Sequence, residues 1–232
     1  MSDSSYHQFC PVSMAAEIIC SRWTLLVLRE LMLGSTRFNE LRRGLPSMSP
    51  ALLSKRLKDL EAAGIVMHIA AGHEPGVLEY RLTESGHELR PIIEAIGVWG
   101  HRWITTEATL KNLDANLLMW DIRRNIDTNP MPPRRNTIQF IFNDRPPSER
   151  NYWLVVEPGR EIDLCLVDPG FDVDLYVSTD LRTMTEIWLG YATIGPVSED
   201  GRFVLTGNSR LAANLRTWLK LSIFAKAEKK VA

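Results

Sequence analysis

The sequence predicts an α+β chain in two parts: a mostly helical first half closed by a hairpin, and a second half of antiparallel sheet with helices on one side. Three observations carry that prediction. Apolar residues recur at helical spacing up to about residue 103, except at 65–82, where the pattern becomes strand-like. "DTNPMPPRR", residues 127–135, breaks the chain with turn residues. Beyond it, "NTIQFIF", "NYWLVVE", "EIDLCLV" and "DVDLYVS" are four short strand-like runs separated by turns. With 232 residues there is room for two domains. The expected division is 1–106, a linking helix and linker at 107–129, and 130–232.

Residues 12–20 make a short apolar helix, and "SRWTLLVLRELMLG" makes a second, with Ser21 as N-cap and Gly34 as its stop. Residues 36–43 form a third around Phe38 and Leu41, followed by the turn "GLPSMSP". The helix at 50–63 is the best specified. Ser49 caps it, Pro50 suits its first position, Gly64 closes it, and Leu53, Leu57 and Leu60 form one buried stripe. "IVMHIA" and "VLEYRL" then pair across the hairpin tip "AGHEPG". Thr83 caps a long helix to Trp103 that Pro91 can bend, and a further helix spans 108–126. In the second half Thr179 or Asp180 starts the helix "LRTMTEIWLG", a fifth strand lies near 202–205, and 208–224 is a final helix.

Composition excludes several classes. A formal net charge of -1 gives no bulk signal for nucleic acid, although binding depends on where charges lie. Cys10, Cys20 and Cys165 follow no disulfide or ligand spacing, which suggests a reducing compartment, with the cytoplasm as the default. There is no signal-peptide pattern and no apolar run long enough for a membrane span. The five histidines lack metal-ligand spacing, so no metal and no cofactor is expected. Among Asp163, Asp168, Asp172 and Asp174, Asp168 sits in the turn "DPG" and Asp172 and Asp174 lie on the outward face of a strand, and no catalytic arrangement accompanies them, so no enzyme is expected.

Three helices followed by a hairpin is the plan of a winged helix-turn-helix, in which the helix after the tight turn enters the DNA major groove and earlier helices support it. Opposite the leucine stripe stand Ala51, Ser54, Lys55 and Lys58, with Arg56 at the flank and Arg42 and Arg43 placed to grip the backbone. The full set of expected DNA contacts adds Arg37, Ser49, Leu52 and His73 at the hairpin tip. Any helix of a water-exposed protein shows charges opposite its leucines, so the order of elements adds more weight than the charges do.

The run from Cys10 to about Gly100 resembles the HxlR-type family of winged helix-turn-helix transcription regulators. Its marks are Cys10-Pro11-Val12, Trp23-Thr24-Leu25-Leu26, Arg37-Phe38-Asn39-Glu40-Leu41, and Tyr80 with Leu82-Thr83-Glu84-Gly86. The resemblance implies a homodimer, built from the N-terminal helix and the helix at 84–103, that represses from a partly palindromic double-stranded DNA operator. Ala51 and Leu52 depart from the family's basic or hydroxyl residues, which shifts weight to apolar contact with thymine methyls. In some relatives the cysteine of the Cys-Pro motif senses oxidants. Cys10 is therefore a candidate redox sensor, or else a small residue packing the dimer interface, while Cys20 and Cys165 are expected in the core.

Residues 130–225 are similar to sterol carrier protein-2-like domains, most closely at 172–190 and 207–219. That likeness implies a pocket for an apolar or amphipathic small-molecule effector, with Trp153, Leu164, Leu166, Leu175, Met184, Trp188, Leu215 and Trp218 as lining. Asn208-Ser209 stands where Asp-Pro is more frequent. The same side chains serve equally as plain core. A ligand-independent regulator with a structural second domain, or a lipid-carrier-like protein without specific DNA binding, remain open alternatives.

Overall fold

The computed structural model describes residues 5–71 and 77–231 and divides into two units, Met1–Gly97 and Val98–Ala232. In the first, α1 (Pro11–Ile19) and α2 (Thr24–Met32) are bent by 80°. The expected cap at Ser21 is displaced. Trp23 holds the N-cap position in the left-handed conformation at φ 78, and the Thr24 amide donates to the Ser21 carbonyl at 3.0 Å. A left-handed non-glycine costs about 1–2 kcal/mol, and packing of the Trp23 ring against the core offsets it. α3 (Phe38–Gly44) and α4 (Pro50–Ala62) follow, then β1 (Val66–Ala70) and β2 (Leu78–Leu82) as an antiparallel hairpin. The unit's core is built from Val27, Leu28, Leu41, Leu53, Leu57 and Leu60, all essentially inaccessible.

The long helix expected from Glu84 is two helices, α5 (Glu84–Glu88) and α6 (Arg90–Trp103). Pro91 explains the break, because it has no N–H for the His87 carbonyl and its ring crowds that carbonyl. Thr83 caps α5 as expected, accepting from the Gly86 amide at 3.3 Å. Among the described residues no single helix is long and apolar enough to cross a membrane.

In the second unit the expected helix at 108–126 is also split, into α7 (Thr106–Thr109) and α8 (Ala115–Arg124). Asp114 starts the second of these as the cap of α8, accepting from the Leu117 amide at 3.0 Å. Strands β3 (Asn136–Phe142), β4 (Asn151–Val156), β5 (Asp163–Cys165), β6 (Leu175–Thr179) and β7 (Phe203–Gly207) form one sheet in the order β5-β4-β3-β6-β7. The sheet is mixed, not antiparallel: β3 and β6 run parallel. β5 and β6 are shorter than expected. α9 (Leu181–Trp188), capped by Asp180, α10 (Ile194–Glu199), α11 (Ser209–Ala213) and α12 (Leu215–Trp218) complete the unit. The expected final helix at 208–224 is therefore two short helices and an irregular tail.

Register settles which side chains face the core. Ile138 stands opposite Leu154 and Leu175, and Leu154 opposite Leu164, so this row is interior. Leu175, Met184, Trp188, Leu215 and Trp218 are buried in one close-packed cluster, with Leu164 packed partly against it. Trp153, expected inward, alternates onto the opposite face, in the row of Gln139 and Cys165. Leu166 lies past the end of β5 and is 59% exposed. Neither Trp153 nor Leu166 lines the interior. Asp172 and Asp174 precede β6. Asp174 is a junction, accepting from Arg134 at 2.7 Å and from the Thr137 amide at 2.9 Å.

Candidate nucleic-acid interface

The turn between α3 and α4 is held from beneath by a buried charge. Glu30 is fully buried in α2, and its carboxylate accepts from Arg29 at 2.7 Å and from the Ser35 hydroxyl at 3.3 Å. Arg29 also donates to the Gly44 carbonyl at 3.1 Å. Gly44 has no room for a side chain, since a Cβ there would overlap the Glu30 carboxylate. Leu45 and Met48 anchor the turn in the core. A buried carboxylate is stable only when paired and hydrogen-bonded, so this network fixes where α4 starts.

α4 begins as its sequence predicts. The Ser49 hydroxyl accepts from the Leu52 amide at 3.3 Å, Pro50 takes the first position, and Gly64 adopts φ +69 just past the end. Leu53, Leu57 and Leu60 are buried, which turns Ala51, Lys55 and Lys58 outward as one exposed ridge at i, i+4 and i+7. Ser54 and Leu52 flank it half-buried, and Leu52 packs against the core, which weakens its case as a base contact. Arg56 is held back from the ridge. Its guanidinium donates to the Arg22 carbonyl at 3.1 Å and pairs with Asp59 at 2.7 Å.

Arg37 is the half-buried N-cap of α3, while Arg42 and Arg43 are exposed in its last turn, where cations complement the helix dipole. His73 lies outside the described residues. Sequence reasoning missed the stacked pair on the hairpin, His68 on Tyr80, with ring centroids 4.4 Å apart and planes 6° from parallel. The two residues are directly opposite across the strands, and the alternation in each strand was the signal for it. The Tyr80 amide donates to the Thr36 carbonyl at 2.8 Å, tying the hairpin to the start of α3. Burial, and to a lesser extent Glu61, raises the Tyr80 phenol above its ordinary pKa.

Cys10 is half-buried at the N-cap of α1, where the Ser13 and Val12 amides lower its thiol pKa. Cys20 is exposed and Cys165 is half-buried on the outer sheet face, so neither is a core residue as expected. Burial and Asp163 push the Cys165 thiol up. No cluster of potential metal ligands occurs among the described residues. In the second unit, a cleft of about 270 Å³ lies between the linker at 128–134 and the turn after β4, lined by Met131, Pro132, Asn136, Val156, Glu157 and Pro158 among others.

The HxlR-like helix-turn-helix profile matches residues 18–108. The HTH-type transcriptional regulator YvaP of Bacillus subtilis strain 168 is 39% identical over 98 residues, which is 42% of this chain and 91% of that protein. The regulator sll1512 of Synechocystis is 34% identical over 99 residues, 43% of this chain and 73% of that one. Among solved structures, the reduced form of YodB from B. subtilis is 31% identical, covering 42% of this chain and 96% of that chain, with a TM-score of 0.37. With identities of 34–39% over 73–91% of the length of these two regulators, the chain belongs to the HxlR-like helix-turn-helix family of DNA-binding transcriptional regulators.

Proposed function

We propose that the protein acts as a homodimeric repressor whose α4 enters the major groove of an operator and whose second unit tunes that binding. The observation that carries the dimer is an exposed apolar surface on α1 and α6. α1 buries none of its residues, and Phe9 is 98%, Val12 75% and Met14 57% exposed. On α6, Ile92, Ile96, Trp99 and Trp103 recur at i, i+4, i+7 and i+11 and are all exposed. Apolar residues massed in this way on two helices call for a partner surface, and a second copy supplies one of the same chemistry. Lys55 and Lys58 then present their ammonium groups to phosphates, with Ala51 and Ser54 toward base edges and Arg42 and Arg43 toward the flanking backbone.

For the second unit we keep the sterol-carrier-like reading and its apolar or amphipathic effector, supported by the sheet covered with apolar helices. The close-packed interior leaves little free space, so the cleft walled by Met131, Val156 and prolines is the more accessible place for such a molecule. That same packing favours a second reading, in which the unit is structural only.

The test is binding of the purified protein to the intergenic DNA beside its own gene, at two salt concentrations with unrelated competitor DNA. Competitor-resistant binding by a dimer is expected. Replacing Lys55 and Lys58 by alanine should flatten the salt dependence by about two phosphate contacts; an unchanged slope would remove α4 from the interface. Displacement of 1-anilinonaphthalene-8-sulfonate by fatty acids, with and without change in DNA affinity, separates the two readings of the second unit.

A further inference from the structure

Among the described residues the chain after α12 has no helix or strand, yet its course is closely specified. The Ser222 amide donates to the Trp188 carbonyl at the end of α9, at 2.9 Å. The Ala225 carbonyl then passes Gly190, where a Cβ would stand 2.8 Å from that oxygen. Gly190 is at φ +76, so conformation and close approach both require glycine there. Further on, the Lys230 amide donates to the Arg102 carbonyl at 2.9 Å, and the Lys229 ammonium donates to the Ile104 carbonyl at 2.5 Å and to the Tyr191 hydroxyl at 3.1 Å. These bonds satisfy carbonyls at the C-terminal end of α6, which a helix end leaves without partners of its own. The tail thus fastens the last turn of α6 to the end of α9.

One titratable group lies under the fastening. His101 is 8% exposed, its ring stacks on Tyr191 with centroids 5.1 Å apart, and it is hydrogen-bonded to the Ala227 backbone. Tyr191 carries Lys229 as well, the ammonium lying 4.5 Å from the ring centroid. Imidazole and ammonium therefore share one aromatic ring. Lys229 is the charged side chain that acts on His101, while Arg102 and Lys230 lie near Glu228, and Tyr191 comes from the segment after α9. Glu228 is taken by Lys230 at 2.5 Å. The Lys229 ammonium beside the ring favours the neutral imidazole.

We propose that residues 222–231 form an acid-opened latch, closed on the end of α6 while His101 is neutral and released when His101 takes a proton. Protonation places a second cation against Lys229 in a desolvated site. Burial first, and Lys229 second, hold the His101 pKa below its ordinary 6.5, outweighing the Ala227 backbone hydrogen bond, which raises it. The sign follows. The open form binds the proton more readily, so latch stability is intact above pH 6.5 and is lost as the pH falls through the lower value of the closed form. Each unit of depression corresponds to about a tenfold shift in the opening constant. The regulatory meaning rests on the reading of α6 as a dimer helix, because the latch fixes one end of the helix whose exposed stripe pairs the two copies.

The test is peptide-resolved hydrogen exchange of the full chain from pH 7.5 to 5, corrected for intrinsic exchange, beside an NMR titration of His101. Protection at 222–231 should fall with the same midpoint as His101 protonation. His101→Gln, which keeps a neutral donor, should hold the tail closed across the range. Lys229→Met should raise the His101 midpoint. Tail protection that ignores pH, or the same loss in His101→Gln, would overturn the latch. Sedimentation run alongside keeps the two ideas apart: a monomer whose tail still opens with His101 sinks the dimer reading and leaves the latch standing.

Discussion

Gly44→Ala offers the sharpest test of how the recognition turn is built. On helix propensity alone the change should stabilise, since Gly44 is the last residue of α3 with an ordinary backbone conformation; alanine gains about 0.5–1 kcal/mol there. The structure predicts the opposite sign. The new methyl would occupy the space of the Glu30 carboxylate, so that carboxylate must move away from Arg29 and Ser35. Overpacking a dense site costs about 1–3 kcal/mol, and breaking a buried charge pair about 3–5 kcal/mol. Arg29 is partly exposed and can rehydrate, which lowers the second figure. A net loss of about 2–4 kcal/mol results. Hydrogen exchange of the Leu53 and Leu57 amides against urea reads it within the first unit alone. The decisive comparison is a double-variant cycle with Glu30→Ala, which removes the carboxylate and leaves room for the methyl. There Gly44→Ala should cost close to nothing, giving a coupling of about 2 kcal/mol or more. Additive effects, or a stabilised single variant, would refute the account of the turn.

Two further outcomes follow from local chemistry. Ser49→Ala removes the acceptor for the Leu52 amide and should cost about 1 kcal/mol, with a parallel fall in DNA affinity; urea unfolding with unchanged m-value checks it. Iodoacetamide labelling followed site by site by mass spectrometry should find Cys10 reacting at a lower pH than Cys165. The Cys10 thiol is lowered by the first amides of α1, and that of Cys165 is raised by burial and Asp163. Equal pH profiles would remove the physical basis for Cys10 as a sensor.

The first unit was largely legible because its determinants are local. Ser49, Pro50 and Gly64 mark α4 within a few residues of each other, and the leucine stripe needs one helix turn of context. What escaped was non-local or turned on one atom. Nothing near Glu30 in sequence says that its carboxylate fills the place of a side chain at Gly44, fourteen residues later. Arg56 looks like a phosphate contact by position, yet the Arg22 carbonyl claims it. Asp174 reads as an outward strand residue and is a structural acceptor that holds β3.

The second unit was less legible for a topological reason. β3, β4 and β5 reverse in turn, and alternation alone suggests that β6 continues the same meander. Instead the chain returns to the far edge of β3 and enters parallel to it. Asp174 explains how that register is held without a hairpin. Its amide donates to the Thr137 carbonyl at 2.8 Å, its side chain accepts from the Thr137 amide, and its carbonyl accepts from the Asn208 amide at 2.7 Å. One residue thus pins the starts of β3 and β6 and the end of β7. Gly207 completes the arrangement at φ +127, because any Cβ there would meet the Asp174 carbonyl. A one-residue slip of β6 would turn Leu175 and Val177 out of the core and Tyr176 into it. The parallel pair is therefore specified by a side-chain bridge and a glycine more than thirty residues apart, a kind of information that periodicity does not carry.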